Sequence, residues 1–257
     1  MDGAEPPPEA RPAAGEPGPG GPDPGATALE ADDGDPARFA AAREATSRWV
    51  EGGDVHAPVA ARLAAEGAAR VLDLGSGDGE LGRALARAAP APWWCGLDQA
   101  AGLLAAGPRP AVRADLGALP LAAGSVDAAV ALWVLYHLAR PADALREVRR
   151  VLRPGGWFAA CTTARDDSPE LEEWFAPNPP TPFDAEEAEA VVGRVLDVVD
   201  VVRWDRRVVR LPDAGAVEAY LRGRGADPSD ARAVAATVEV PFAVTRRGVL
   251  VWARAPG

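Results

Sequence analysis

The 257-residue chain has no lysine and no isoleucine, one Asn (Asn178) and one Gln (Gln99), so all 27 of its basic residues are Arg. Codons for Lys, Ile and Asn are AT-rich. Their shared scarcity reads as a GC-rich coding bias rather than a selected property. Cysteine is scarce as well: Cys95 and Cys161 stand alone in apolar runs, with no CxxC spacing. That excludes a disulfide framework and a zinc site, and leaves two buried structural thiols. No apolar run approaches the roughly 18 residues that span a bilayer. The N-terminus has no apolar stretch of the kind found in secretory signals. These absences predict a cytoplasmic protein with no membrane insertion.

A dense basic stripe is missing too. The net charge is −11, and residues 1–35 hold nine acids and one base, which leaves −3 for residues 36–257. Phosphate contacts need clustered cations, so a nucleic-acid partner is disfavoured and a small-molecule substrate preferred. The oligomeric state has no signature in the sequence. Residues 1–35 are rich in Pro, Gly, Ala and acid and poor in large apolar residues. Such a segment cannot repay the entropy of ordering and is predicted to be a disordered tail. Residues 36–257 are long enough for one mid-sized domain.

Within that domain, short apolar runs alternate with amphipathic helices. Strands are predicted at 70–74, 93–98, 111–115, 126–134 and 156–163. Helices are predicted from Asp35-Pro36 onward and at 54–66, 79–89, 99–106 and 141–152. Strands apolar on both faces and separated by helices imply a parallel sheet covered on both sides, an α/β fold. The last third reads as a strand or bent pair at 198–211 and helices at 214–224 and 228–236. Two further strands, 238–244 and 248–253, are predicted to form a hairpin through Thr245-Arg246-Arg247-Gly248.

The chemistry concentrates at strand ends. Val71-Leu72-Asp73-Leu74-Gly75-Ser76-Gly77-Asp78-Gly79 runs from an apolar strand through a Gly-rich turn into a helix. Backbone N–H groups at such a turn can receive a carboxylate or phosphate. The spacing is GxGxG. The dinucleotide pattern GxGxxG would need Gly at position 80, where the chain has Glu80. Asp98 ends the second strand, where a carboxylate can accept from both hydroxyls of a ribose. It identifies a nucleoside without saying which one; a helix N-cap is the competing reading. Asp115 ends the third strand, and by itself reads as a turn residue. Three acids at successive strand tips favour a ligand crevice.

These residues, with Leu119-Pro120-Leu121, Gly124-Ser125-Val126-Asp127, Leu135-Tyr136-His137-Leu138 and Leu152-Arg153-Pro154-Gly155-Gly156, closely resemble class I methyltransferases that use S-adenosylmethionine (SAM). The resemblance spans about residues 36–163 and is nearest to the branch of ubiquinone and menaquinone biosynthesis methyltransferases (methyltransferase type 11). It implies a Rossmann-like seven-stranded, mostly parallel sheet with an antiparallel last strand and helices on both faces. It implies SAM across the strand tips: Asp73, Gly75 and Gly77 at the methionine end, Asp98 and Gln99 at the ribose, Asp115 and Leu116 at adenine, and Trp133 near the sulfonium.

SAM carries its own activation, so the enzyme mainly aligns a nucleophile for in-line displacement. A general base is needed only if that nucleophile starts protonated. His137 is the base candidate, and a histidine that fixes the loop after the fourth strand is the competing reading. His56 reads as a surface or packing residue. No Asn/Asp-Pro-Pro-Tyr element follows the fourth strand, which argues against methylation of a nucleobase amine or glutamine. Three functions fit the residues: a SAM-dependent methyltransferase, an NAD(P)-dependent oxidoreductase, and a SAM-binding protein without catalysis.

Overall fold

The computed structural model describes residues 36–51, 55–175 and 179–257. The expectations for residues 1–35, including the Asp35 cap, lie outside the described residues. In chain order the elements are α1 (Pro36–Ser47), α2 (His56–Ala65), β1 (Arg70–Leu74), α3 (Glu80–Leu85), β2 (Trp93–Asp98), α4 (Ala101–Ala106), β3 (Ala111–Arg113) and β4 (Val126–Leu132). They continue with α5 (Pro141–Val151), β5 (Leu152–Thr163), α6 (Ala188–Gly193), β6 (Asp197–Leu211), α7 (Ala214–Gly223), α8 (Pro228–Ala235) and β7 (Phe242–Arg254). No helix among the described residues is long and apolar enough to cross a membrane.

The strands form one seven-stranded sheet in the order β3-β2-β1-β4-β5-β7-β6. Strands β1 to β5 pair in parallel, and β7 runs antiparallel to β5 and β6. The order reverses between β1 and β4, and ligands of open α/β sheets bind at that switch, beyond the carboxyl ends of the strands. The central strands are apolar throughout because both faces are covered. Leu72, Leu74, Ala129, Ala131 and Phe158 pack on one face with α5 and α6. Val71, Ala128, Val130, Leu132 and Trp157 pack on the other with α2 and α3. Helix α5 buries Ala144, Leu145, Val148 and Val151, a helical three-to-four spacing.

The two strands predicted at 238–244 and 248–253 are one continuous strand, β7, and the expected hairpin does not exist. Thr245 to Gly248 lie inside β7, opposite Arg207 to Trp204 of β6. Gly248 had signalled a turn, but its role is close packing: a Cβ there would press into the Trp204 indole and the Thr162 carbonyl. The α7–α8 pair is inserted between β6 and β7 and forms a cap with its own apolar core, around Val217, Tyr220, Leu221, Val234 and the upper ends of β6 and β7. Asp213 and Asp227 cap the two helices through the Ala216 and Ser229 amides.

A buried carboxylate pins the cap to the sheet. Asp167 meets Arg246 at 3.1 Å and Arg224 at 3.2 Å, and accepts from the Arg247 amide at 2.7 Å. Burial of that charge is tolerable only because two cations and a backbone donor surround it.

Candidate active site

The glycine turn follows β1 directly. Gly75, Gly77 and Gly79 all have left-handed backbone conformations, with φ of 64°, 53° and 83°. Gly75 is constrained twice, because a Cβ there would also overlap the side chain of Val134 in the loop after β4. The β1 and β4 loops can therefore meet only through glycine. The spacing revealed the turn, but nothing in the sequence pointed to Val134.

The structure brings Asp73, Gly75, Gly77 and Asp98 together. One Asp98 oxygen accepts from the Gly77 amide at 2.8 Å and the other from the Ala100 amide at 2.9 Å. The two readings of Asp98 from sequence thus coexist: it orders the start of α4, and it grips the glycine turn. Each carboxylate oxygen has two lone pairs, so one acceptor position remains on each. Two free acceptor positions on one half-buried carboxylate suit the chemistry of a ribose diol, and the donor set fits SAM on that count.

Asp73 is almost fully buried and accepts from the Trp94 indole N–H at 3.2 Å. Burial pushes its carboxyl up to about 7, against the opposing influence of His56 and the Trp94 hydrogen bond and with a further push from the Asp98 charge. His56, read from sequence as a surface or packing residue, sits at the start of α2 within electrostatic reach of Asp73. Seventeen positions separate the two in the chain, and only packing of α2 on the sheet joins them.

Asp115 is exposed, and its side chain accepts from the Gly117 amide at 2.8 Å, which is the turn role that its residue type predicted. Strand β3 ends two residues earlier, at Arg113. The Leu116 side chain is buried in the core. Gln99 is exposed, and its carbonyl accepts from Arg113 Nε at 3.0 Å. The Ala114 amide donates to the Asp98 carbonyl at 3.1 Å, so this segment abuts the tip of β2.

Trp133 follows β4 with φ of 59°, an unusual and strained conformation for a bulky residue. Its amide donates to the Cys161 carbonyl at 3.1 Å, and its ring meets Trp204 edge-on at 6.2 Å. The next residues form a 3-10 turn, Leu135–His137, in which His137 is exposed and lies against the Tyr136 ring at 4.3 Å. Trp204 also lines a concavity of about 480 Å³ with Ala164, Asp166, Asp205 and Arg247. A larger one of about 660 Å³ opens beside Trp174, Arg207 and Phe242, and none of the strand-tip residues lines either concavity.

Comparisons with known proteins agree with the fold. Residues 72–160 match the family described as "Methyltransferase domain". The chain is 36% identical over 129 residues to the malonyl-[acyl-carrier protein] O-methyltransferase of Enterobacter lignolyticus, covering 45% of this chain and 48% of that protein. It is 34% identical over 118 residues to the ubiquinone/menaquinone biosynthesis C-methyltransferase of Syntrophotalea carbinolica, covering 42% and 50%. These matches span about half of each relative's length. The YcgJ protein of Bacillus subtilis has a similar fold, with a TM-score of 0.54 at 17% identity over 78% of this chain and 99% of that one. Sheet order, glycine turn and family match converge on residues 72–160 as a segment similar to the methyltransferase domain family.

Proposed function

We propose that the protein transfers a methyl group from SAM to a small-molecule acceptor by in-line displacement. The observation that carries this reading is Asp98, tied to the glycine turn and the start of α4, with an acceptor position left on each oxygen for a ribose. SAM, when bound, supplies a methyl group on a sulfonium whose departure as a neutral thioether needs no acid. The protein's work is therefore binding and alignment.

In this reading Asp98 accepts from the ribose hydroxyls, Asp73 accepts from the methionyl ammonium, and Gly75 and Gly77 let the backbone approach the tail. Gln99 flanks the ribose, Asp115 and Leu116 address adenine, and Trp133 borders the sulfonium. The 480 Å³ concavity reaches the site only through Trp204, whose ring meets Trp133 at 6.2 Å; its volume is within the range of small-molecule sites. The names of the two relatives differ in the atom methylated, oxygen in one and carbon in the other, so the family does not impose a shared base. His137, exposed in the turn just past β4, is the candidate base for an acceptor that starts protonated.

Tryptophan fluorescence titrated with SAM and with NAD tests the reading. A saturable change with SAM and none with NAD is expected. The reverse pattern would return the chain to the oxidoreductase reading.

A further inference from the structure

We propose that Arg43, on α1, binds the carboxylate of the cofactor's methionyl tail, which makes α1 a component of the cofactor site. The assignment rests on the SAM reading above. Phe39 and Arg43 are four residues apart and share one side of α1. That side lies against the glycine turn. The Phe39 ring would be 3.1 Å from a Cβ placed on Gly77. The Arg43 guanidinium reaches Asp78 at 2.8 Å and Glu80 at 3.4 Å, immediately after Gly77.

The ion pairs use two of the three guanidinium nitrogens. Arg43 Nε is buried and has no hydrogen-bond partner among the described residues. A buried N–H without an acceptor is costly, and an unmet donor beside a ligand turn points to a ligand atom as its partner. A carboxylate that enters on the side of the glycine turn would supply that acceptor, and carboxylates bridge guanidinium edges. The local charges balance without it, because Arg43 and Arg83 face Asp78 and Glu80. A zwitterionic tail then finds Arg43 for its carboxylate and Asp73 for its ammonium.

Helix α1 is held for this task by the cap. Gly223 of α7 is packed so closely on α1 that a Cβ would lie 2.8 Å from Ala45 Cβ and 3.0 Å from the Ala42 carbonyl. The cap is in turn fixed to the sheet through Asp167, which pairs with Arg224 after α7 and with Arg246 of β7.

Calorimetric titration of wild type and Arg43→Met with two ligands tests the assignment. S-adenosylhomocysteine carries the amino-carboxylate tail; methylthioadenosine has the same adenosine and thioether but no tail. Arg43→Met should weaken S-adenosylhomocysteine binding by roughly 10- to 150-fold, the range for a lost charge-assisted hydrogen bond, and leave methylthioadenosine binding unchanged. Equal losses for both ligands would show that Arg43 only props the turn, and would overturn the proposal. So would an undiminished affinity for S-adenosylhomocysteine. If Arg43→Met does not fold, Arg43→Lys with the same ligand pair replaces it, with a smaller loss again confined to the tailed ligand. A wild-type chain that binds neither ligand overturns the SAM reading itself, whereas one that binds both isolates the fault to Arg43.

Discussion

Asp98→Ala should act on two observables of different origin, and the structure separates them. In the ligand-free protein the carboxylate accepts from two backbone amides, those of Gly77 and Ala100. Sequence position alone predicts little cost, because a carboxylate at an open crevice holds no core packing. The two amides change that. Each would lose its acceptor in a half-buried place, at about 1 kcal/mol apiece, so Tm should fall by roughly 4–8 °C for a domain of this size. With ligand present, two further hydrogen bonds from the ribose are lost, and SAM binding should weaken by roughly 10- to 150-fold.

Asp98→Asn divides the effects. Its amide oxygen offers two acceptor positions where four donors compete, so stability should recover more than affinity does. Differential scanning calorimetry and isothermal titration with SAM, S-adenosylhomocysteine and free methionine read both quantities. The two nucleoside ligands should lose similar factors, and methionine none. A folded Asp98→Ala variant with undiminished SAM affinity would refute the reasoning and remove the strand-tip crevice as the site.

Asp73 should make stability depend on pH. Its carboxyl holds a proton up to about 7 when folded, against an ordinary value of 3.8. The folded chain therefore binds more protons in between, and stability falls as pH rises from about 4 to 7. Asp73→Asn should flatten that slope in urea midpoints measured between about pH 5 and 8; an unaltered slope would show that another group sets it. Gly75→Ala should cost about 2–5 kcal/mol, from the left-handed backbone and the overlap with Val134 together. Val134→Ala in the same chain should restore part of the loss, and chemical denaturation of both variants checks this. His137→Ala should abolish turnover with SAM affinity retained if it is the base; parallel loss of stability and binding would mark it as a loop residue.

Much of the fold was legible because it is written locally. Strands at 70–74 and 93–98 coincide with β1 and β2, since a buried parallel strand shows as an apolar run between polar breaks. The glycine turn was legible because left-handed φ leaves its trace in residue type. The misread region is β7. Thr245-Arg246-Arg247-Gly248 looks like a link because it is polar, yet Arg246 is partly buried against the buried Asp167 and Gly248 is cut to fit Trp204. Local pattern cannot distinguish a polar turn from a polar strand segment whose charges are met by distant partners. The same limit hid Trp94 beneath Asp73, His56 beside it, and the pairing of Arg43 with Asp78 across 35 positions. Each joins elements that only tertiary packing brings together.

A crystal structure with S-adenosylhomocysteine tests the central claim most directly. The account predicts the adenosyl group at the tips of β1 to β3, both ribose hydroxyls on Asp98, and the methionyl carboxylate within hydrogen-bond reach of Arg43. Ligand density elsewhere, with Asp98 engaged only by the Gly77 and Ala100 amides, would contradict it.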